Sequence, residues 1–349
     1  MKRVLLGMSG GVDSSVAAFL LQKEGYEVVG ATMALWDFDQ DKDSSVADAR
    51  AVCEKLGIDH YVLDFKDEFK GRVVDNFIGE YFAGNTPNPC VFCNKTIKFG
   101  LLFDKAKELD CDYIATGHYA LVEYNEDSGK YEIKKASSDS KDQTYVLYNL
   151  NQEKLSKTLF PIGRYDKDTI RQIAKEIGLK VHNKPDSQDI CFIPDHDYEK
   201  FIKTHSNRQV DSGNFVDTCG NVLGKHKGIV SYTIGQRKGL GITFGKPTYV
   251  VDINSEDGSI ILGENKDLFK TNLIARDVNF VEWDQDDIQG PIYVYAKIRY
   301  SAKPCRAKVS YIGKSRVRVD FEEAQRAITR GQSVVFYSED KLLGGGIIE

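Results

Sequence analysis

The stretch "VLLGMSGGVDSSVAAFLLQKEG", residues 4–25, decides the fold. Its opening, "VLLGM", is an unbroken apolar run of strand length, and "SSVAAFLLQKE" (14–24) carries helical spacing closed by Gly25. A strand whose apolar residues do not alternate is buried on both faces, the condition of a parallel sheet covered by helices. Between strand and helix, "GMSGGVDSS" (7–15) supplies glycines that let the backbone approach an anion, ahead of the free N–H groups of a helix start.

The alternation continues outward. Strand "YEVVGATM", a helix around "VADARAVCEKLG", strand "HYVLDF", a helix over 67–82, a helix "KFGLLFDKAKEL", strand "YIATGHY" and a helix "DKDTIRQIAKEIGL" with Asp166 as N-cap follow in order. The prediction is an α/β domain over 1–205 with helices on both faces of a parallel sheet. After about residue 205 the helical periods stop. Short β-like runs replace them: "GIVSYTI", "PTYVVDI", "IYVYAKIRY", "KVSYIG" and "SVVFYS". Two smaller β-rich domains are expected, 206–272 and 273–349, the last a β-barrel; a chain of 349 residues exceeds one ordinary core.

Composition bounds the function. The chain is 41% hydrophobic and 28% charged, an ordinary globular balance. No stretch of some 18 apolar residues suggests a membrane span, and the opening apolar run meets Gly10, Gly11 and Asp13 instead of continuing as a signal peptide. Seven irregularly spaced cysteines argue for a reducing, cytoplasmic setting. The net charge of −5 conceals residues 291–330, with ten Lys/Arg against three Asp/Glu, a local +7. That region is either a polyanion surface or a solvated barrel exterior, and composition does not choose.

The loop lacks the G-x-x-x-x-G-K-[ST] lysine of a kinase-type loop and the G-x-G-x-x-G of a dinucleotide binder. Ser9 and Ser14 offer hydroxyl donors, and Asp13 is placed to orient a metal-bound phosphate. The competing reading is a glycine turn with no ligand. The spelling SGGxDS resembles the pyrophosphate (PP) loop of ATP pyrophosphatases, which adenylate a carbonyl oxygen. The resemblance implies a HUP-type fold and an ATP site, with Mg2+, on Gly7, Met8, Ser9, Gly10, Gly11, Val12, Asp13 and Ser14, with Met33 and Gly117 flanking adenine and ribose. By its pattern alone, Met33 is ordinary core.

"TPNPCVFCNKTIKF" (86–99) holds Cys90 and Cys93. A structural zinc needs four ligands, commonly two such pairs, and no second pair exists. A disulfide between them is disfavoured in a reducing compartment. Cys191, in "PDSQDICF", stands in equally unusual company, whereas Cys53 and Cys111 read as structural. Together "GMSGGVDSS", "TPNPCVFCNKTIKF", "ATGHYA", "SKDQTYVLY", "PDSQDICFI", "YTIGQRKGLG" and "RYSAKPCRA" run in order along nearly the whole chain, which resembles the tRNA-specific 2-thiouridylase (MnmA/TrmU) family.

That resemblance implies that ATP adenylates O2 of a wobble uridine and that sulfur then replaces AMP. Cys191 matches the persulfide carrier and Cys93 the nucleophile, the two ending as a disulfide. Both roles need thiolate character, so an electropositive, partly exposed site is expected, helped by Lys95 and the nearby helix start. Cys90 stands where many members carry aspartate, and Cys90, Cys93 and Cys191 together supply three thiolates, enough for a [4Fe-4S] cluster with one open iron. Persulfide and cluster-bound sulfide stay open as routes. The resemblance places Asn88, Pro89, Cys90 and His118 beside the target base, and Lys141, Asp142, Gln143, Arg299, Tyr300 and Gln332 on tRNA. From residue type alone, His118 reads as a satisfied histidine at a strand end. The implied partners are tRNAs for Lys, Glu and Gln and a sulfur donor such as a cysteine desulfurase or relay protein. Competing functions are another AMP-forming PP-loop ligase or amidotransferase, which needs no cysteine trio, and a non-catalytic tRNA-binding protein.

Overall fold

The computed structural model describes residues 1–36, 42–184, 190–242, 245–283, 288 and 290–349. Strand β1 (Arg3–Gly7) leads through the glycine loop into α1 (Val12–Lys23). β2 (Glu27–Ala34), α2 (Lys42–Leu56) and β3 (Asp59–Asp64) follow. Next come α3 (Lys66–Phe69), a π-helical segment Lys70–Val74 and α4 (Asp75–Phe82), in unbroken succession. A second such succession runs through α5 (Pro89–Cys93), the π-helical Asn94–Leu101 and α6 (Leu102–Glu108). β4 (Tyr113–Ala115), the hairpin β5 (Ala120–Asn125) and β6 (Lys130–Lys135), α7 (Gln152–Leu155), β7 (Thr158–Leu159), α8 (Lys167–Glu176) and α9 (Tyr198–His205) complete this part.

The sheet is five-stranded and parallel, in the order β3-β2-β1-β4-β7. Val4, Leu5 and Leu6 of β1 are each 0% exposed, which explains why its apolar run does not alternate. Leu5 packs with Phe99, Leu102 and Phe103 on one face. Val4 and Leu6 pack with Val16, Ala17, Ile170 and Ala174 on the other. Because β2 and β4 lie on opposite sides of β1, chain direction across the sheet reverses there. The crevice over the carboxyl ends of β1 and β4 is the place where open α/β sheets bind ligands. Asp166 caps α8 by accepting the Thr169 N–H at 2.7 Å, as its sequence implies.

The second unit pairs β8 (Gly213–Val216), β9 (Val222–His226), β10 (Tyr249–Asn254) and β11 (Ser259–Gly263) in the order β10-β11-β8-β9. The third consists of β12 (Phe269–Phe280), β13 (Ile292–Lys297), β14 (Cys305–Gly313), β15 (Arg316–Arg326), β16 (Ser333–Ser338) and β17 (Lys341–Ile348). The order β12-β15-β14-β13-β16-β17 closes into a six-stranded barrel when β12 pairs with β17.

Two sequence expectations need correction. "GIVSYTI" is not a strand: after Gly228, at φ +122°, the chain makes a tight 3-10 turn, Ile229–Ser231, and Val230 is buried against the α4 helix and Phe192. In "YIATGHY" only Tyr113–Ala115 is strand, because the following residues turn to bring Thr116 and His118 together. The hairpin β5–β6 was not legible as such. Its β6 pairs with β17 (Leu342↔Ile133), so the α/β unit extends the barrel sheet.

Candidate active site

The phosphate loop is shaped by close approaches. The Met8 N–H donates to the Ala31 carbonyl at 2.8 Å, holding the first loop residue to β2. Gly10 has φ +67°, and a Cβ there would stand 2.4 Å from the Ser45 carbonyl oxygen, so only glycine passes. Ser14 Oγ accepts from the Ser9 N–H (3.2 Å) and donates to the Gly11 carbonyl (3.2 Å), while Ser15 Oγ donates to the same carbonyl at 2.8 Å. Gly11 caps α1 without a side chain, which leaves the first-turn N–H groups directed at an incoming anion.

Asp13, expected to orient a metal-bound phosphate, is held by two partners. Lys167 Nζ donates to both of its oxygens at 2.8 Å, and the Tyr119 hydroxyl donates to Oδ1 at 2.7 Å. The carboxylate is a tie between α1, α8 and the segment after β4. A second lysine, Lys184, donates to Asp48 Oδ2 at 2.8 Å and to the Gly10 carbonyl at 3.3 Å. Two lysines therefore flank a loop whose own sequence has none.

The cysteine helix begins where its local sequence dictates. Asn88 accepts the Cys90 N–H at 3.1 Å as N-cap, and Pro89 sits in the first turn, where a missing N–H costs nothing. Asn94 Nδ2 then donates to the Cys90 carbonyl at 2.9 Å. Cys93 is 8% exposed and packs with Phe69, Phe77, Ile97 and Phe192; Cys90 and Cys191 reach the surface. Residues 185–189, the start of the Cys191 motif, lie outside the described residues. Phe192 anchors the other side, with ring centroids 5.6 Å from Phe69 and 5.4 Å from Phe77.

Electrostatics group the thiols. Burial pushes Cys93 up to about 11 and Cys191 up to about 12, and it raises Cys90 as well. Cys191 also feels the neighbouring Cys93 and Cys90, so the three sulfurs share one environment. The site is partly exposed at Cys90 and Cys191, but it does not favour thiolates at rest: desolvation raises all three thiols, most plainly Cys93 in its aromatic packing. The cation that opposes this burial at all three is Lys98, not the exposed Lys95. Among the described residues no group of three His, Cys, Asp or Glu side chains is set to hold a metal ion.

The segment after β4 joins loop and thiols. A Cβ on Gly117 would lie 2.9 Å from Ser14 N, so this backbone rests directly on the first turn of α1. His118 next to it is 7% exposed, hydrogen-bonded to Thr116 Oγ1 at 2.7 Å, with its ring 5.9 Å from that of Phe99 on the cysteine helix. Burial and the Lys98 charge hold its pKa well below the ordinary value. Met33, half-buried at the end of β2, packs between the two cores beside the same crevice.

The residues expected on RNA form two groups. Tyr300, 45% exposed, donates its hydroxyl to the Asp142 carbonyl at 2.9 Å, bringing Arg299 and Tyr300 to Lys141, Asp142 and Gln143. Arg299 donates to the Arg326 carbonyl at 3.2 Å, and Gln143 exchanges bonds with the backbone of Tyr119 at 3.0 Å. Gln332 lies apart, donating to the Thr86 carbonyl at 2.7 Å, just ahead of Asn88 and Pro89.

Similarity follows the three units. A model described as tRNA methyl transferase HUP domain matches residues 2–195, its PRC-barrel domain 199–264, and an aminomethyltransferase beta-barrel domain 270–348. The "tRNA-specific 2-thiouridylase MnmA" of Clostridioides difficile (strain 630) is 57% identical over 356 residues, covering 100% of this chain and 98% of that protein. The chain belongs to the MnmA family. The protein of the same name from Clostridium perfringens is 54% identical, again over 100% of this chain and 98% of its own length.

For an MnmA-family chain, motif reading passed over Lys98, Tyr119, Lys167 and Lys184. Lys167 and Lys184 reach the loop across 154 and 174 residues of sequence, so no local spacing could announce them. It also missed what "SKDQTYVLY" does inside the fold. The Tyr145 hydroxyl donates to the Ser333 carbonyl at 2.7 Å, and Tyr148 meets Ser333 Oγ at 3.1 Å, clamping the MnmA catalytic unit to the barrel.

Proposed function

We propose that this protein adenylates the C2 oxygen of a wobble uridine in tRNA with ATP and replaces it with sulfur, releasing AMP and pyrophosphate. The observation that carries the reading is the Thr116–His118 segment, which touches the phosphate loop through Gly117 and the cysteine helix through His118. Phosphate binding and thiol chemistry thereby meet in one crevice. The full-length likeness to proteins named tRNA-specific 2-thiouridylase supports the substrate.

The α1 N–H groups and the serines of the loop bind the phosphates, and Mg2+ enters with ATP as part of the substrate. Adenylation turns O2 into a leaving group. Cys191 carries the persulfide, taken from a sulfur donor such as a cysteine desulfurase or relay protein. Its outer sulfur adds to C2 and AMP departs with the C–O bond. The Cys93 thiolate attacks the inner sulfur, which breaks the S–S bond, leaves sulfur on C2 and forms a Cys93–Cys191 disulfide. Two electrons from an external thiol restore the cysteines. The division of labour is proposed as 1–205 for ATP and sulfur, 206–272 as adaptor, and 273–349 for tRNA contact. Asn88, Pro89, Cys90, His118, Lys141–Gln143, Arg299, Tyr300 and Gln332 are the proposed RNA positions, and tRNAs for Lys, Glu and Gln the proposed acceptors. The setting is cytoplasmic; among the described residues no helix is long and apolar enough to cross a membrane.

The test is nucleoside mass spectrometry on unmodified lysine tRNA incubated with protein, Mg-ATP, a cysteine desulfurase with cysteine as the persulfide source, and a thiol reductant. 2-Thiouridine formation that Cys93→Ala or Cys191→Ala abolishes supports the reading. Formation unaffected by either change overturns the persulfide route, and no product from wild type overturns the thiolation itself.

A further inference from the structure

We infer that Lys98 is the charge-compensating residue of the sulfur site, its ammonium placed by the π-helical turn to support an anionic sulfur on Cys93 and on the adjoining Cys191. The inference rests on the thiol chemistry proposed above. In an α-helix, residues five apart stand about 140° away from each other around the axis. Between Asn94 and Leu101 the helix widens to the π form, in which residues five apart close one turn. The widened turn thus carries Lys98 toward the face of Cys93. At its end, Phe99 leaves helical geometry (φ −106°, ψ 16°) and turns its ring onto His118.

Three observations single this lysine out. It is half-buried, and it makes no ion pair or hydrogen bond with a described residue, whereas Lys167 and Lys184 are both held by carboxylates. A half-buried lysine with no described counter-ion is available to an anion that arrives in the working cycle. Its field reaches Cys90, Cys93, Cys191 and the neutral His118. Among the described residues no carboxylate acts on these thiols, whereas the Lys98 charge acts on all three. Lys95, three residues earlier, is exposed and outside this set. Lys98 acts through the cysteines and is a positioning residue in that sense.

The test measures alkylation of Cys93 and Cys191 by iodoacetamide in the full-length protein, followed by peptide mass spectrometry from about pH 7.5 to 9.5. Lys98→Met is expected to lower the rate about tenfold at each pH, equivalent to one unit in the thiol pKa. Lys98→Arg should restore it, and Lys95→Met should leave it at the wild-type rate. Lys98→Gln replaces the methionine variant if that one melts early. A folded neutral variant reacting at the wild-type rate, or Lys98→Arg as slow as Lys98→Met, would overturn the assignment. Neither tRNA nor ATP is present. A failure here therefore removes Lys98 alone, and a failure of wild-type thiolation leaves the alkylation result intact.

Discussion

Replacing Gly117 by alanine tests the contact that joins the two halves of the site. The added methyl would stand 2.9 Å from Ser14 N, 3.1 Å from the Asp13 carbonyl carbon and 3.2 Å from Asp13 Cβ. Two of these atoms are main chain in the first turn of α1, which cannot swing aside as a long side chain would. Reaching ordinary contact of about 3.5 Å requires the strand end and α1 to part by roughly half an ångström. Overpacking of this kind costs about 1–3 kcal/mol. The larger effect is geometric, because the displaced N–H groups are those proposed to hold the phosphates. A misplacement approaching an ångström costs up to about 100-fold in rate. The expected result is a fall of about 10- to 100-fold in kcat/KM for ATP, measured as tRNA-dependent AMP formation, with a modest drop in melting temperature. Gly79→Ala is the matched control: a methyl added there in α4 would meet nothing within 4 Å, so it should stabilise by about 0.5–1 kcal/mol. Wild-type ATP kinetics in Gly117→Ala would refute the reasoning.

Cys93 and Cys191, raised to about 11 and about 12, should alkylate slowly at neutral pH, with rates climbing about tenfold per pH unit across the alkaline range; fast modification near pH 7 would contradict the burial argument. His118 has a folded pKa depressed well below 6.5, so its contribution to stability is intact above about 6.5 and is lost as pH falls below it. Urea unfolding at descending pH should therefore show a shallower loss in His118→Gln than in wild type. Lys167→Met leaves the Asp13 carboxylate with Tyr119 but no cation, for an expected loss of about 1.5–3 kcal/mol in chemical denaturation. If the basic 291–330 region grips RNA, tRNA affinity should fall steeply between about 50 and 200 mM salt, and a flat response in filter binding would point to a merely solvated face.

The α/β unit was legible because its signals are local. Unalternating strands, the capping Asp166 and the Asn88–Pro89 helix start are each set by residues within a few positions. The candidate thiols and the phosphate loop were readable for the same reason, as motifs of short span. Where tertiary packing competed, local reading failed: "GIVSYTI" has β-like residues, but Gly228 and the burial of Val230 make it a turn. Lys95 and Lys98 are equivalent in the sequence, and only the widened helix and the docking of Phe99 on His118 separate them.

The sequence by itself determined the strand–helix alternation from β1 to β4, the anion loop and which cysteines stand in unusual company. Tertiary structure alone decided that Lys167 and Lys184 flank that loop, and that the β5–β6 hairpin joins the barrel sheet. It also decided that Thr86, ahead of the cysteine helix, is held by Gln332 and Arg330 of the barrel and by Thr233 of the middle unit. The physical reason is range. Caps, periodicity and glycine turns act within a helical turn or two of sequence. Which thiols are desolvated, and which cation faces them, depends on surfaces that meet only after distant parts of the chain have packed.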